Sequence, residues 1–184
     1  IIQIKTDATG DASSGSGDIY FDNIYFWKQP SEPSSAPTAP TADASNVISV
    51  FSDAYTDVSN SNFDPNWGQG TDATIATIAN NEVIKQASLN YQGIVIGAEG
   101  TETDVSGKEY LHVDFWSADF DQVKLFLIST GPNESSYDLD VTSKGAWLSA
   151  DIPLSTFSNA GVELDKIIQI KTDATGDASS GSGD

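Results

Sequence analysis

Along most of this chain apolar residues alternate with polar ones in short runs, and turn-forming residues interrupt the runs every 8 to 15 positions. Such a period of two belongs to half-buried β-strands, whose successive side chains point to opposite faces. The pattern predicts strands at 47–52, 73–79, 82–87, 89–97, 109–116, 122–129, 137–142, 146–153 and 167–171, and one more at 19–27, IYFDNIYFW. Val, Ile, Thr and aromatic residues fill the apolar positions, as strands favour. Asn80-Asn81, Gly131-Pro132 and Lys144-Gly145 supply the turns between them. No stretch of ten or more residues keeps a 3.6-residue period, so the expected class is all-β, a jelly-roll sandwich of two packed sheets.

The first eighteen residues, IIQIKTDATGDASSGSGD, return unchanged as the last eighteen, at 167–184. The two copies begin at Ile1 and Ile167, 167 − 1 = 166 positions apart, which suits one globular domain plus a linker. The chain therefore reads as one domain in permuted register from a tandem array. Residues 1–28 are the C-terminal strands of one repeat. Residues 29–46 are a linker rich in Pro, Ser, Thr and Ala, with four prolines and no large apolar side chain, expected to run extended. Residues 47–184 are the body of the next repeat. In its first copy the repeated segment leads straight into 19–27, so the body needs that strand to complete it. Either 19–28 folds back through the linker or a neighbouring copy donates its equivalent by strand addition.

The chemistry-bearing residues concentrate on a few strands and one loop. In Tyr110-Leu111-His112-Val113-Asp114-Phe115-Trp116, alternation places Leu111, Val113 and Phe115 towards a core and Tyr110, His112, Asp114 and Trp116 outward. Aromatic surface beside a carboxylate and an imidazole suits sugars, whose C–H faces pack on rings while their hydroxyls take hydrogen bonds. Trp67, in the loop Pro65-Asn66-Trp67-Gly68-Gln69, and Tyr91 join the candidate ligand-binding set, whereas Trp147 reads as core padding. A catalytic reading finds little support: His112 is the sole histidine, cysteine is absent, and there is no GxSxG elbow or HExxH pair.

With 27 acidic and 8 basic residues, the formal charge is −19. That balance repels nucleic-acid phosphates and anionic membrane surfaces and favours hard cations such as Ca²⁺. Ser52 and Asp53 at the end of the first body strand, with Asp22 and Asn23 in strand 19–27, form the candidate Ca²⁺ set, since first and last strands lie side by side in many sandwiches. No apolar run is long enough for a membrane span. The Gly/Ser/Asp segment TDATGDASSGSGD reads as a solvated loop.

The ordered set ISVFSDAYTDV, NFDPNWGQ, LNYQGIVIG, YLHVDFWSAD, LFLISTGPNESSYDL, WLSADIPLSTFS, IIQIKTD and IYFDNIYFW resembles a jelly-roll, carbohydrate-binding-module-like repeat. Such repeats accompany secreted family-16 β-glucanases and surface proteins of marine Bacteroidetes. The resemblance covers 47–171 and 19–27. It implies a β-sandwich, secretion or display at the cell surface, polysaccharide as partner and often a structural Ca²⁺ near the chain ends; together with the missing catalytic motifs, the expectation is a non-catalytic module. A neutral β-glucan is the expected ligand. Its alternative is a structural role, as the repeat of an adhesin, stalk or filament whose neighbouring copies exchange strands. The long TDATGDASSGSGD loop departs from the family's short hairpin.

Overall fold

The computed structural model describes residues 3–4 and 18–174. After a 3-10 turn at Ala44–Asn46, capped by the Asp43 carboxylate on the Ser45 amide, come β1 (Asp72–Ile78), β2 (Asn81–Ala87), β3 (Tyr91–Val95), β4 (Tyr110–Trp116) and β5 (Gln122–Ser129). Then follow β6 (Asn133–Asp140), β7 (Trp147–Pro153), the short helix α1 (Leu154–Ser158) and β8 (Ile167–Asp173). All named strand pairs are antiparallel. Four strands make one sheet in the order β3-β8-β5-β6, β4 pairs with β7, and β1 with β2 forms a hairpin.

Period two decides how the layers meet. Leu125 and Leu127 of β5, Leu139 of β6 and Ile170 of β8 point inward from the four-stranded sheet. They meet Ile152 of β7 and the inward side of β4, namely Leu111, Val113 and Phe115. Leu154 and Phe157 of α1 close this core, Phe157 with no exposed surface. A second cluster, Leu89, Phe120, Val141 and Ala174, seals the adjoining end. The result is the all-β sandwich that the alternation predicts.

Eight of the ten predicted strands form, with ends shifted by a few residues. The run 47–52 does not become a strand: the Asp57 carboxylate accepts hydrogen bonds from the Ser49 hydroxyl and the Ser52 amide, and only one bridge, Ser49 to Asp57, remains. Side-chain bonds of this local kind compete with a sheet ladder. The segment 19–27 is not a strand either. Its side chains are exposed, Tyr20 at 88% and Phe26 at 82%, and it pairs with no described strand. β6 begins at Asn133 rather than 137, since an edge strand needs no apolar residues at its start. The turn between β1 and β2 falls at Ala79-Asn80, both in the left-handed region, one residue before the pair the sequence suggested. α1 is too short for a helical period to be read. The Gly/Ser loop falls almost wholly outside the described residues.

The linker lies on the body. Gln29 Nε2 donates to the Lys144 carbonyl, Trp147 Nε1 donates to the Ser35 carbonyl at 2.6 Å, and Tyr55 donates to the Ala42 carbonyl at 2.9 Å.

Candidate functional site: an aromatic trough on the four-stranded sheet

On β3 and the residue after it, Gln92, Ile94 and Ile96 face the core side, which leaves Tyr91, Gly93 and Val95 on the opposite face of the sheet. Gly93 lacks a side chain, and the Trp67 indole occupies the space one would fill: a Cβ there would overlap the indole's six-membered ring. Trp67 is thereby laid across the outer face of the sheet. Its loop is held by hydrogen bonds from its own side chains. The Trp67 amide donates to Gln69 Oε1 at 2.7 Å, and the Gly68 amide to Asn66 Oδ1 at 3.1 Å. Gln69 Nε2 donates both to the Pro65 carbonyl at 2.8 Å and to Oε1 of the fully buried Gln92 at 3.0 Å. Tyr91 Oη closes the arrangement by donating to the Trp67 carbonyl at 3.0 Å.

Register extends this platform across the sheet. Gly93 stands opposite Lys171 of β8, and Lys171 opposite Phe126 of β5. Lys171 Nζ sits 3.9 Å from the centre of the Phe126 ring and 3.0 Å from Glu134 Oε2. One row further, Lys124 and Asp138 pair at 2.6 Å. Trp67, Tyr91, Ile128, Pro132, Glu134, Gln169, Lys171 and Asp173 enclose an open trough of about 400 Å³. Flat apolar surface and fixed donors and acceptors lie together there, the combination that a pyranose ring requires.

The expected ligand-binding set divides between two surfaces. Trp67 and Tyr91 share the trough. Tyr110, His112, Asp114 and Trp116 lie on the outer side of the β4–β7 pair, across the core, so the six do not form one wall. On that second surface Trp116 stands opposite Trp147, His112 opposite Asp151 and Asp114 opposite Ser149. Trp147, with its bond to Ser35, carries the linker rather than padding the core. His112 Nδ1 lies 2.7 Å from Asp151 Oδ1, and Nε2 lies 3.5 Å from Asp114 Oδ1, which also accepts from the Ser149 hydroxyl. Partial burial opposes charging of the imidazole. The bond to Asp151 and the charges of Asp114 and Asp151 together outweigh it, so the His112 pKa lies above its ordinary value.

Ile128, Pro132, Glu134, Gln169, Lys171 and Asp173 of the trough lining, and Gly93, Gln69 and Gln92 that seat Trp67 beside it, are residues that sequence reasoning missed. Alternation alone puts Lys171 and Phe126 on the outer faces of their strands. Only the pairing of β8 with β5 sets them side by side.

The candidate Ca²⁺ residues make hydrogen bonds within the chain. Asp53 accepts from the Glu82 amide at 2.8 Å at the tip of the β1–β2 hairpin, and the Ser52 hydroxyl accepts from the Ala54 amide. Asp22 accepts from the Asn23 amide within the exposed segment. Among the described residues no group of three or more His, Asp or Glu side chains is arranged to hold a metal ion.

No helix among the described residues is long and apolar enough to cross a membrane. Comparison with known proteins finds no matching family model, curated protein or solved structure.

Proposed function

We propose that this chain is a non-catalytic, extracellular or cell-surface module that binds polysaccharide in the trough beside Trp67, with a neutral β-glucan as its ligand. The observation that carries this reading is the indole of Trp67 seated over Gly93, next to Tyr91, with the polar groups of Lys171, Glu134 and Gln169 lining the same trough. The formal charge of −19 favours neutral over anionic chains. Open to solvent rather than enclosed, the trough leaves room for a polymer to extend beyond it. Linked copies of a weak site gain avidity for such a chain through effective concentration.

Affinity electrophoresis in gels containing laminarin, with cellulose derivatives and mannan for comparison, tests the reading. The full chain is expected to be retarded by laminarin. Trp67→Ala and Tyr91→Ala each weaken retention about tenfold, equivalent to ~1.4 kcal/mol, while Trp116→Ala and His112→Ala leave it unchanged. Migration indifferent to every neutral glucan would overturn the proposal.

A further inference from the structure

Strand β4 makes a ladder on one side only. Its backbone pairs with β7, and among the described residues no backbone hydrogen bond joins β4 to anything on its other edge. The packing beneath that edge is incomplete as well. The inward side chains of β4, Leu111, Val113 and Phe115, are all only partly buried, whereas Leu125 and Leu127 on the facing β5 are each 3% exposed. Among the described residues the core is therefore closed on one sheet and less fully covered on the other, beside the edge of β4 that has no partner there.

The same chain holds an unpaired strand-like segment. Ile19–Trp27 exposes seven large apolar side chains, including Phe21 at 56%, Ile24 at 61% and Trp27 at 66%. In sequence it follows the first copy of IIQIKTD, whose second copy is β8.

Topology supplies the polarity. The end of β8 pairs with the start of β5, at Asp173 and Lys124, and only five residues separate that start from the end of β4. A strand entering the β4 layer from the end of β8 would therefore run antiparallel to β4, as in every named pair of this fold.

Within one chain that polarity conflicts with the linker. Gln29 is fixed to Lys144, beside the bond from the Gly145 amide to the Ser117 carbonyl, at the C-terminal end of β4. Laid along its own β4 from that anchor, Ile19–Trp27 would run parallel to it. A second molecule escapes this constraint. We infer that Ile19–Trp27 of one copy adds as an antiparallel strand to the free edge of β4 in a second copy, covering Leu111, Val113 and Phe115.

The donor edge and acceptor edge are different surfaces, so the contact is head-to-tail and grows open chains rather than closing as a two-fold dimer. It is independent of the trough, which lies on the other sheet.

Sedimentation of the full chain across a concentration series provides the test. Wild type is expected to rise above the monomer mass of 19.5 kDa as concentration increases. The double variant Ile24→Asp, Phe26→Asp stays at the monomer mass with unchanged circular dichroism, since it alters only an exposed segment. A synthetic peptide of residues 18–28 added to this variant slows amide exchange in β4. A wild type that stays monomeric throughout would overturn the inference, as would a peptide that binds without protecting β4 or fails to bind.

Discussion

The Trp67 indole packs on Gly93 where any other residue would place its Cβ. The pairing makes one glycine responsible for the orientation of the aromatic platform. Gly93→Ala is expected to expel the ring from the sheet face. Overpacking of this kind costs about 1–3 kcal/mol, readable by urea unfolding. Glucan retention should fall together with a change in tryptophan emission. An alanine variant with wild-type emission and retention would show that the platform does not depend on this contact.

Gln92 carries the support for Trp67 one layer deeper. Its side chain is fully buried, accepts from Gln69 and donates to the Gly93 carbonyl. Gln92→Leu removes the acceptor and leaves Gln69 without that partner, at a cost of about 1–3 kcal/mol. Because Gln69 also holds the Trp67 amide, binding is expected to weaken with it. Gln69→Ala should lower retention similarly with less loss of stability, since Gln69 is only partly buried. Equal effects on both measures in both variants would contradict this layered arrangement.

His112 predicts a pH dependence. Its pKa is raised in the folded chain, so folding favours the protonated ring, and the stabilisation is fully present below the unfolded value of about 6.5. It is lost as pH rises through the folded pKa. The side chain is 49% exposed, so solvent screening keeps the effect small. Unfolding midpoints measured on both sides of neutrality should show wild type losing this increment at higher pH, and His112→Gln showing no such loss. An NMR titration of His112 with a midpoint at or below the ordinary value would contradict the assignment.

Chelation should leave the dilute chain unaffected. Asp53 accepts from an amide at the hairpin tip and Asp22 from its neighbour's amide in the exposed segment, and among the described residues no group of three or more acidic or histidine side chains is arranged to hold an ion. The melting temperature is expected to be the same in excess EDTA as in excess Ca²⁺. A lower value in EDTA that Ca²⁺ restores would mean that a cation site forms from other donors.

Most of the sandwich was legible in the sequence, because alternation reports which face of a strand is buried. Tyr110 to Trp116 is the clearest case: Leu111, Val113 and Phe115 turn inward as the pattern requires. The site was less legible. Trp67 stands out by type, but its seat depends on a glycine 26 positions away, and no local pattern marks such a pair. Alternation likewise puts His112 and Trp116 on the outside without saying which sheet's outside Tyr91 shares. Ile19–Trp27 has the composition of a strand, yet a strand forms only against a neighbour, and in this chain the linker turns the segment away from a partner of suitable polarity.

The docking of the linker on Lys144 and Trp147 bears on how such bodies would be strung together. A free Pro-rich tether lets successive domains swivel and sample many separations. A tether fastened at Gln29 and again at Ser35 instead has less freedom to swivel next to the body that follows it. If the proposed glucan binding holds and such bodies follow one another in a longer chain, the fastened linker narrows the bearings at which successive troughs are presented, which favours a stiff polysaccharide over a flexible one of the same sugar.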